Sequence, residues 1–409
     1  MKADIRMRGF KARTEVSHFQ DLIRSRISLS ETEEVPLAKA GGRVLASPVV
    51  AKVSVPSFPR SAMDGYAVRS EETFGAGNYN PLNFKVIGEV TPGRVFDGVV
   101  GPGETVRIMT GAPIPNGADA VLMAEYTSEA DGIMSATDSV PPKKNIGQIG
   151  EDIREGTVVF PAERRLRAQD LGILASIGEG RLTVYRQPRV TLLITGNELL
   201  KPGEMPSGAK IVDSNSIMLA HLLERDGAVV AEVRHLVDDR DVIRDALLHA
   251  PGDLLITTGG TSVGVEDHAP TLVEETGELL VHGVAMRPSA PTGMGFSNGR
   301  PVFLLPGNPV ACLAAYDFFV RLAVRRMAHF DENWPYRMER HPLKDRIASQ
   351  IGRLDYARVK LEADGGATHL ATSGSSILSS TTRADGFIVV SQDSEGIAEG
   401  DLADIWLYE

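Results

Sequence analysis

Apolar positions recur with two different spacings along this chain, and the changes of spacing outline its organisation. Val16, Phe19, Leu22, Ile23 and Ile27 lie on one helical face, which predicts an amphipathic helix whose apolar side needs a partner surface. From about Pro56 to Gly150 the apolar runs shorten and Gly and Pro interrupt them, as in FKVIGEV, ETVRIMTGAPIPNGADAVLMAEY and the Asp131-Gly132 turn. That pattern predicts a small β-rich domain over 56–150. AQDLGILASIG, within 151–187, is helix-like, and Gln187-Pro188 marks a boundary, so 1–55 and 151–187 read together as a helical and linker domain. From Arg189 strand-like and helix-like runs alternate: VTLLIT, NSIMLAHLLERDG, VVAEVRHLV, DVIRDALLHA, DLLITTGG and VFLLPGN. The alternation predicts a doubly wound α/β domain over 188–330, a parallel sheet with helices on both faces. A helix from Pro309 to about Ala328 ends it, with Asn308 as N-cap, Pro309 in the first turn, and Val310, Leu313, Val320, Val324 and Met327 as an apolar stripe. After Trp334-Pro335, DYARVKLEA, GFIVV and LADIWLYE predict a C-terminal, barrel-like β domain over 335–409. Inside it, SGSSILSSTT reads as a ligand-facing loop that packs through Ile377 and Leu378.

Composition narrows what such a chain does. At 409 residues, 42% apolar and 24% charged, it has material for several cores. A net charge of −11 argues against a nucleic-acid or anionic-membrane surface. Cys312 is the only cysteine, which excludes an intrachain disulfide and a thiolate metal cluster and fits a reducing cytoplasm. It reads as a small core residue. The N-terminal residues lack the apolar stretch of an export signal, and no window is apolar enough to span a bilayer, so a soluble, cytoplasmic protein is expected.

The richest chemistry lies in TTGGTSVGVEDHAP, Thr257 to Pro270. A buried strand breaks there into a glycine loop and a helix start, and amides turned outward at the paired glycines Gly259 and Gly260 suit an anion. Asp267 just beyond suits a hard cation. The loop has neither the P-loop ending nor the dinucleotide glycine spacing. Ligands of open α/β sheets bind where loops leave the carboxyl ends of strands, which directs attention to 195–199, 238–239, 259–267 and 306–309.

Nine segments in order, GGRVLASPVVA, VPSFPRSAMDGYAV, RIMTGAPIPNGADAV, GEDI, ITGNEL, DSNS, TTGGTSVGVEDH, LPGNPVA and SGSSILSS, together closely resemble the molybdopterin molybdenumtransferases, called MoeA in bacteria and represented by the E domain of gephyrin in animals. The resemblance implies a homodimer of four-domain subunits with intersubunit active sites. Its implied activity is insertion of molybdate into adenylylated molybdopterin with release of AMP, supported by Mg2+. It further implies an adenylyltransferase that supplies the substrate and molybdoenzymes that receive the product. Carried onto this sequence, it makes Asp64, Thr110, Asp152, Glu198, Asp238 and Asp267 the catalytic set, with Glu198, Asp238 and Asp267 as metal ligands. Gly259, Gly260, Ser262, Gly264, Arg287, Pro306, Gly307, Asn308, Pro309, Ser373, Ser375 and Ser376 become the cofactor-binding set. So many acids suit a molybdate dianion only with magnesium between, with some of them protonated, or with proton transfer as oxo groups exchange for sulfur.

The sequence departs from the family pattern in its basic residues. Where HKVAMKPGKP is usual, HGVAMRPSAP stands at His282–Pro291, so Gly283 and Ala290 replace lysines and Arg287 alone keeps a charge. NIGQIGEDI, Asn145–Ile153, lacks the usual arginines, and Asp385 stands where asparagine is usual. The departures keep open a non-inserting carrier or assembly paralogue and an insertase for tungstate or a dinucleotide cofactor, and the residues alone also allow a magnesium-dependent phosphoanhydride hydrolase or nucleotidyltransferase.

Overall fold

The computed structural model describes residues 13–261 and 267–408. The chain forms two compact units, one of Glu34–Gly41 and Leu45–Thr183, the other of the remaining segments, including everything from Val184 onward. No helix among the described residues is long and apolar enough to cross a membrane.

The N-terminal helix, α1 (Val16–Arg26), belongs to the larger unit. Its predicted partner surface is the α/β core, where Phe19 stacks on Phe319 with ring centroids 4.3 Å apart. In the smaller unit, β1 (Gly65–Val68), β2 (Leu82–Val90), β3 (Glu104–Ile108), β4 (Ala120–Met123), β5 (Thr127–Ala130) and β6 (Ile133–Ala136) form one sheet in the order β4-β1-β3-β2-β6-β5. Period-two alternation divides its side chains between two cores, with Tyr66 and Val68 on one face and Ala67 on the other. Helix α2 (Ala168–Ser176) opens in the same unit with buried Asp170 held by Arg164 and Arg167.

In the larger unit the predicted alternation appears as β7 (Arg189–Thr195), α3 (Asn215–Arg225), β8 (Val229–Leu236), α4 (Arg240–His249), β9 (Leu254–Thr258), α5 (Ala269–Thr276), β10 (Gly277–His282), β11 (Gly293–Ser297) and β12 (Arg300–Leu305). The sheet order is β8-β7-β9-β12-β11-β10. Strands β8, β7, β9 and β12 are parallel, and β11 and β10 add an antiparallel edge. The sheet is therefore mixed rather than wholly parallel, a common edge addition. Leu192, Ile194, Leu254, Ile256, Phe303 and Leu305 pack on one face. Leu193, Leu255, Val302 and Leu304 pack on the other, under α4 and α5. The chain runs from β7 outward to β8 and then back past β7 to β9, so the strand order reverses between β7 and β9 and a crevice opens at their carboxyl ends.

After β12 come α6 (Pro309–Ala315), a wider π-type turn at Tyr316–Val320, and α7 (Arg321–Met327), one continuous helical run. The expected apolar stripe is instead burial on nearly every face, with even Asp317, Arg321 and Arg325 enclosed. The C-terminal strands supply the extra cover: β13 (Arg337–Pro342), β14 (Leu354–Leu361), β15 (Ala367–Ala371), β16 (Gly386–Val390) and β17 (Leu402–Leu407). Four of them run β14-β16-β17-β13, β15 pairs with β14, and Met286–Arg287 joins as a parallel edge on β14.

Asp317, at the π turn, is wholly buried, and desolvation pushes its carboxyl up to about 6 against the opposing pull of Arg225. A carboxyl raised on folding holds a proton that the unfolded chain has released, so its contribution is complete below the unfolded value of 3.8 and is lost as pH rises to about 6. Wild-type stability should fall relative to Asp317→Asn by roughly 2–3 kcal/mol between pH 4 and 6. Urea denaturation of both proteins across that range checks the sign.

Candidate functional site

Loops leaving β7, β9 and β12 enclose a cleft of about 520 Å³ over the crevice. Glycines shape its rim. Gly259 and Gly260 both adopt left-handed φ, +81° and +58°, and a Cβ on Gly259 would stand 2.2 Å from the Thr195 carbonyl oxygen. Such consecutive turns direct backbone amides toward a ligand. Gly196 gives Glu198 its place, because a Cβ there would lie 2.9 Å from both carboxylate oxygens. The Thr261 hydroxyl donates to the Leu305 carbonyl at 3.0 Å, fixing the end of the glycine turn to β12.

The structure brings Glu198, Gly259, Gly260, Asp267, Pro306, Gly307, Asn308, Pro309 and Ser376 together along this cleft. Ser262 and Gly264 lie outside the described residues. Asp238 does not line it. Its carboxylate accepts from the Asn197 amide at 2.8 Å, and its own amide donates to Asn197 Oδ1 at 3.2 Å, so it braces the loop carrying Glu198. Neighbouring Asp239 caps α4. Asn308 precedes α6, but its side chain does not cap the helix; it donates to Ser375 Oγ at 3.0 Å. The Val310 amide donates to the Ser375 carbonyl at 2.9 Å. The serine segment therefore docks on the start of α6 through Ser375 and not through Ile377, which is 52% exposed.

Arg287 does not line the cleft either. Its guanidinium donates to the fully buried Asp355 of β14, because the edge pairing of Met286–Arg287 carries it toward the C-terminal sheet. Ser373 offers its carbonyl to Arg358 of the same strand. In the other unit, Asp64 Oδ1 accepts from the Thr110 amide at 2.7 Å and the Thr110 hydroxyl at 2.8 Å. Those bonds, the amide's first, hold the Asp64 carboxyl below its usual range. Thr110 therefore donates to a carboxylate. Asp152 lines a separate depression near Arg154 and Phe160.

Some groups at the site gave no chemical signal in sequence. Asp213 and Asn215 line the cleft from the start of α3. Asp213 accepts from the Ser216 amide at 3.1 Å and meets His235 Nε2 at 2.9 Å; DSNS before a helix-like run is the one mark they leave. Arg358 is fully buried, and its Nε and Nη1 have no hydrogen-bond partner among the described residues. Within β14 it reads as an ordinary polar alternate. Burial depresses its pKa. His282 Nε2 meets the Thr261 carbonyl at 2.9 Å, and burial lowers the imidazole against the attraction of Asp267. Cys312 is buried, with its thiol pKa raised by desolvation.

A switch-point cleft of carboxylates and glycine turns, in an α/β layer followed by a β module, defines a multidomain protein built around a small-molecule domain. Residues 191–326 match the family model described as "Probable molybdopterin binding domain". Residues 14–178 match the MoeA N-terminal region (domain I and II), and residues 340–408 the MoeA C-terminal region (domain IV). A molybdopterin molybdenumtransferase of Staphylococcus aureus is 35% identical over 384 residues, covering 92% of this chain and 91% of that one. The Staphylococcus epidermidis molybdopterin molybdenumtransferase is 32% identical over the same shares. A crystal structure titled as the molybdopterin biosynthesis MoeA protein of Pyrococcus horikoshii superposes with a TM-score of 0.76 at 33% identity, covering 97% of this chain and 100% of that one. The chain belongs to the MoeA family.

Proposed function

We propose that this protein is a transferase of molybdenum cofactor biosynthesis that inserts molybdate into adenylylated molybdopterin and releases AMP. One observation carries the reading: the cleft presents Glu198, Asp213 and Asp267 with glycine-turn amides, and has no Lys or Arg among its described lining residues. A cation placed between those carboxylates and a phosphoanhydride or oxyanion removes their mutual repulsion. The donors are all oxygens, which suits Mg2+. Among the described residues no three His, Cys, Asp or Glu side chains gather as a metal cage, and magnesium characteristically takes one or two carboxylates, substrate phosphate oxygens and water. Glu198 and Asp267 would hold it, with Asp238 steadying the Glu198 loop. Bound there, Mg2+ would neutralise phosphate charge.

The remaining steps fall to this chain's own groups. Amides at Gly259 and Gly260 orient the phosphate end. As the dithiol displaces one oxo group, its two protons leave with that oxygen as water, and a cleft carboxylate transfers them. Addition of water across the phosphoanhydride then frees AMP. Arg358 lies outside the cleft lining and is fully buried, and its Nη2 holds the Ser373 carbonyl, so the positive charge that Gly283 and Ala290 do not supply would act here through the serine segment. Arg358→Ala should raise the KM for molybdate about tenfold, by releasing the serine segment that its charge-assisted bond holds. Arg358→Lys should recover only part of it. Steady-state kinetics on the folded variants check this, and an unchanged KM removes Arg358 from this role.

In this reading Asp64, Thr110 and Asp152 complete the site from the second copy of a cytoplasmic homodimer of four-domain subunits, divided at 1–55 with 151–187, 56–150, 188–330 and 335–409. Protein partners are the adenylyltransferase that makes the substrate and the molybdoenzymes that take the product. The engagement of Arg287 with Asp355 favours the alternative, a carrier that binds molybdopterin without inserting metal. Purified protein with adenylylated molybdopterin, molybdate and Mg2+ should yield AMP and active cofactor, and chelation with EDTA should stop it. Tight binding without AMP would establish the carrier instead.

A further inference from the structure

Asn215 stands at the first position of α3 and lines the cleft with 7% of its surface exposed. Its Nδ2 donates to the Gly307 carbonyl at 2.8 Å, ninety-two residues along the chain. That bond fixes which end of the amide is which, because Oδ1 in its place would oppose another acceptor. Oδ1 is then left buried with no partner among the described residues. A buried acceptor without a donor carries a desolvation cost that persists in a native structure for a reason, and a ligand donor is the simplest one. The residue is held firmly: Asp213 accepts from the Ser216 amide in the same helical turn, and its second oxygen meets His235.

The chemistry at this oxygen narrows the part of the substrate that reaches it to the hydrogen-bond donors, which sit on its two heterocycles and its ribose. Phosphate and molybdate oxygens are acceptors, so neither satisfies Asn215 Oδ1. The substrate proposed above also carries an aminopyrimidinone ring, whose exocyclic amino group is a donor. We propose that Asn215 is a specificity-determining residue whose Oδ1 accepts a hydrogen bond from the amino group of the pterin, placing that ring against the start of α3 and Gly307. The inference rests on the functional reading above and adds an orientation to it: the heterocycle sits between the ends of β7 and β12.

The test compares two inhibitors of AMP release, pterin-6-carboxylate and lumazine-6-carboxylate, which differ in that a carbonyl replaces the amino group. Wild-type protein should bind the pterin about tenfold more tightly, the worth of one hydrogen bond and the acceptor left unmet without it. Asn215→Leu should lose that preference. Asn215→Asp cannot donate to Gly307 but keeps an acceptor at the same point, so it should retain the preference even if the loop loosens. Equal inhibition of the wild type by both compounds overturns the role of Asn215 while the transferase reading stands. A preference that survives in Asn215→Leu overturns it equally, and so does its loss in both variants together, which marks a tether to Gly307. Absence of AMP release in the wild type removes the functional reading itself.

Discussion

On the proposed reading, in which Asp267 holds a cation and moves a proton, Asp267→Asn should lower the rate of AMP release at least about a thousandfold, while thermal unfolding stays within a degree or two of wild type. Asp267 lies just after the glycine turn and before α5, where it lines the cleft with Glu198. The substitution keeps the shape and removes the charge, so a purely structural residue would respond in stability first. Asp64→Asn should be equally inactive for a different reason: the carboxylate that Thr110 holds ionised through two donors would become an amide unable to accept both in the same way. Mixing the two inactive proteins under subunit exchange separates one-chain from two-chain sites. If Asp64 of one copy serves the cleft of the other, half of the dimers are hybrids with one intact site each, and about one quarter of wild-type activity returns. No recovery would mean that each chain completes its own site, and full activity of either single variant would end the proposal for that residue.

How far the sequence reaches can be seen at particular residues. The alternation of periods from Arg189 predicted β7, α3, β8, α4 and β9 because each element buries its apolar side locally, at spacings that a linear reading detects. The antiparallel edge escaped it: GELLVH and GMGFS are short, and glycine interrupts the second. The glycine loop and LPGNP were legible as loops at the carboxyl edge of the sheet, where they line the cleft, since backbone conformation is encoded where it occurs. Asn215 was not, because its meaning depends on a carbonyl at Gly307. Arg358 was not, because only the folded structure reveals that no carboxylate meets two of its nitrogens. Arg287 looked like the surviving basic contact until the edge pairing with β14 assigned it to Asp355. Local chemistry is written in the order of residues, whereas long-range satisfaction of polar groups is not.

Asp226→Ala should destabilise the folded protein by about 3–5 kcal/mol, the usual result of removing one member of a buried charge network and leaving the others unpaired. Asp226 follows α3 and is wholly buried. One oxygen accepts from Arg325 Nη1 at 3.0 Å; the other accepts from Arg225 Nη2 at 2.7 Å and the Tyr316 hydroxyl at 2.9 Å. Arg225 continues the chain by donating to the Tyr336 hydroxyl at 2.8 Å, which donates to Asp317 at 2.9 Å. The network thus ties α3, the π turn, α7 and the segment entering the C-terminal strands. Truncating Asp226 strands Arg325, which has 6% of its side chain exposed, with Asp331 as its remaining carboxylate. Replacing Asp226, Arg225 and Arg325 together with apolar residues of similar volume should cost less than the single change, since desolvation is then removed along with attraction. Urea titration measures both, and a single-variant loss below about 1 kcal/mol would show the network to be nearly neutral. The far end of α3 begins at Asn215, two residues after Asp213, about 16 Å away along an eleven-residue helix. At temperatures where Asp226→Ala remains folded, AMP release should therefore keep its kcat and lose mainly substrate affinity, because the network holds the helix that presents the cleft and takes no part in the reaction.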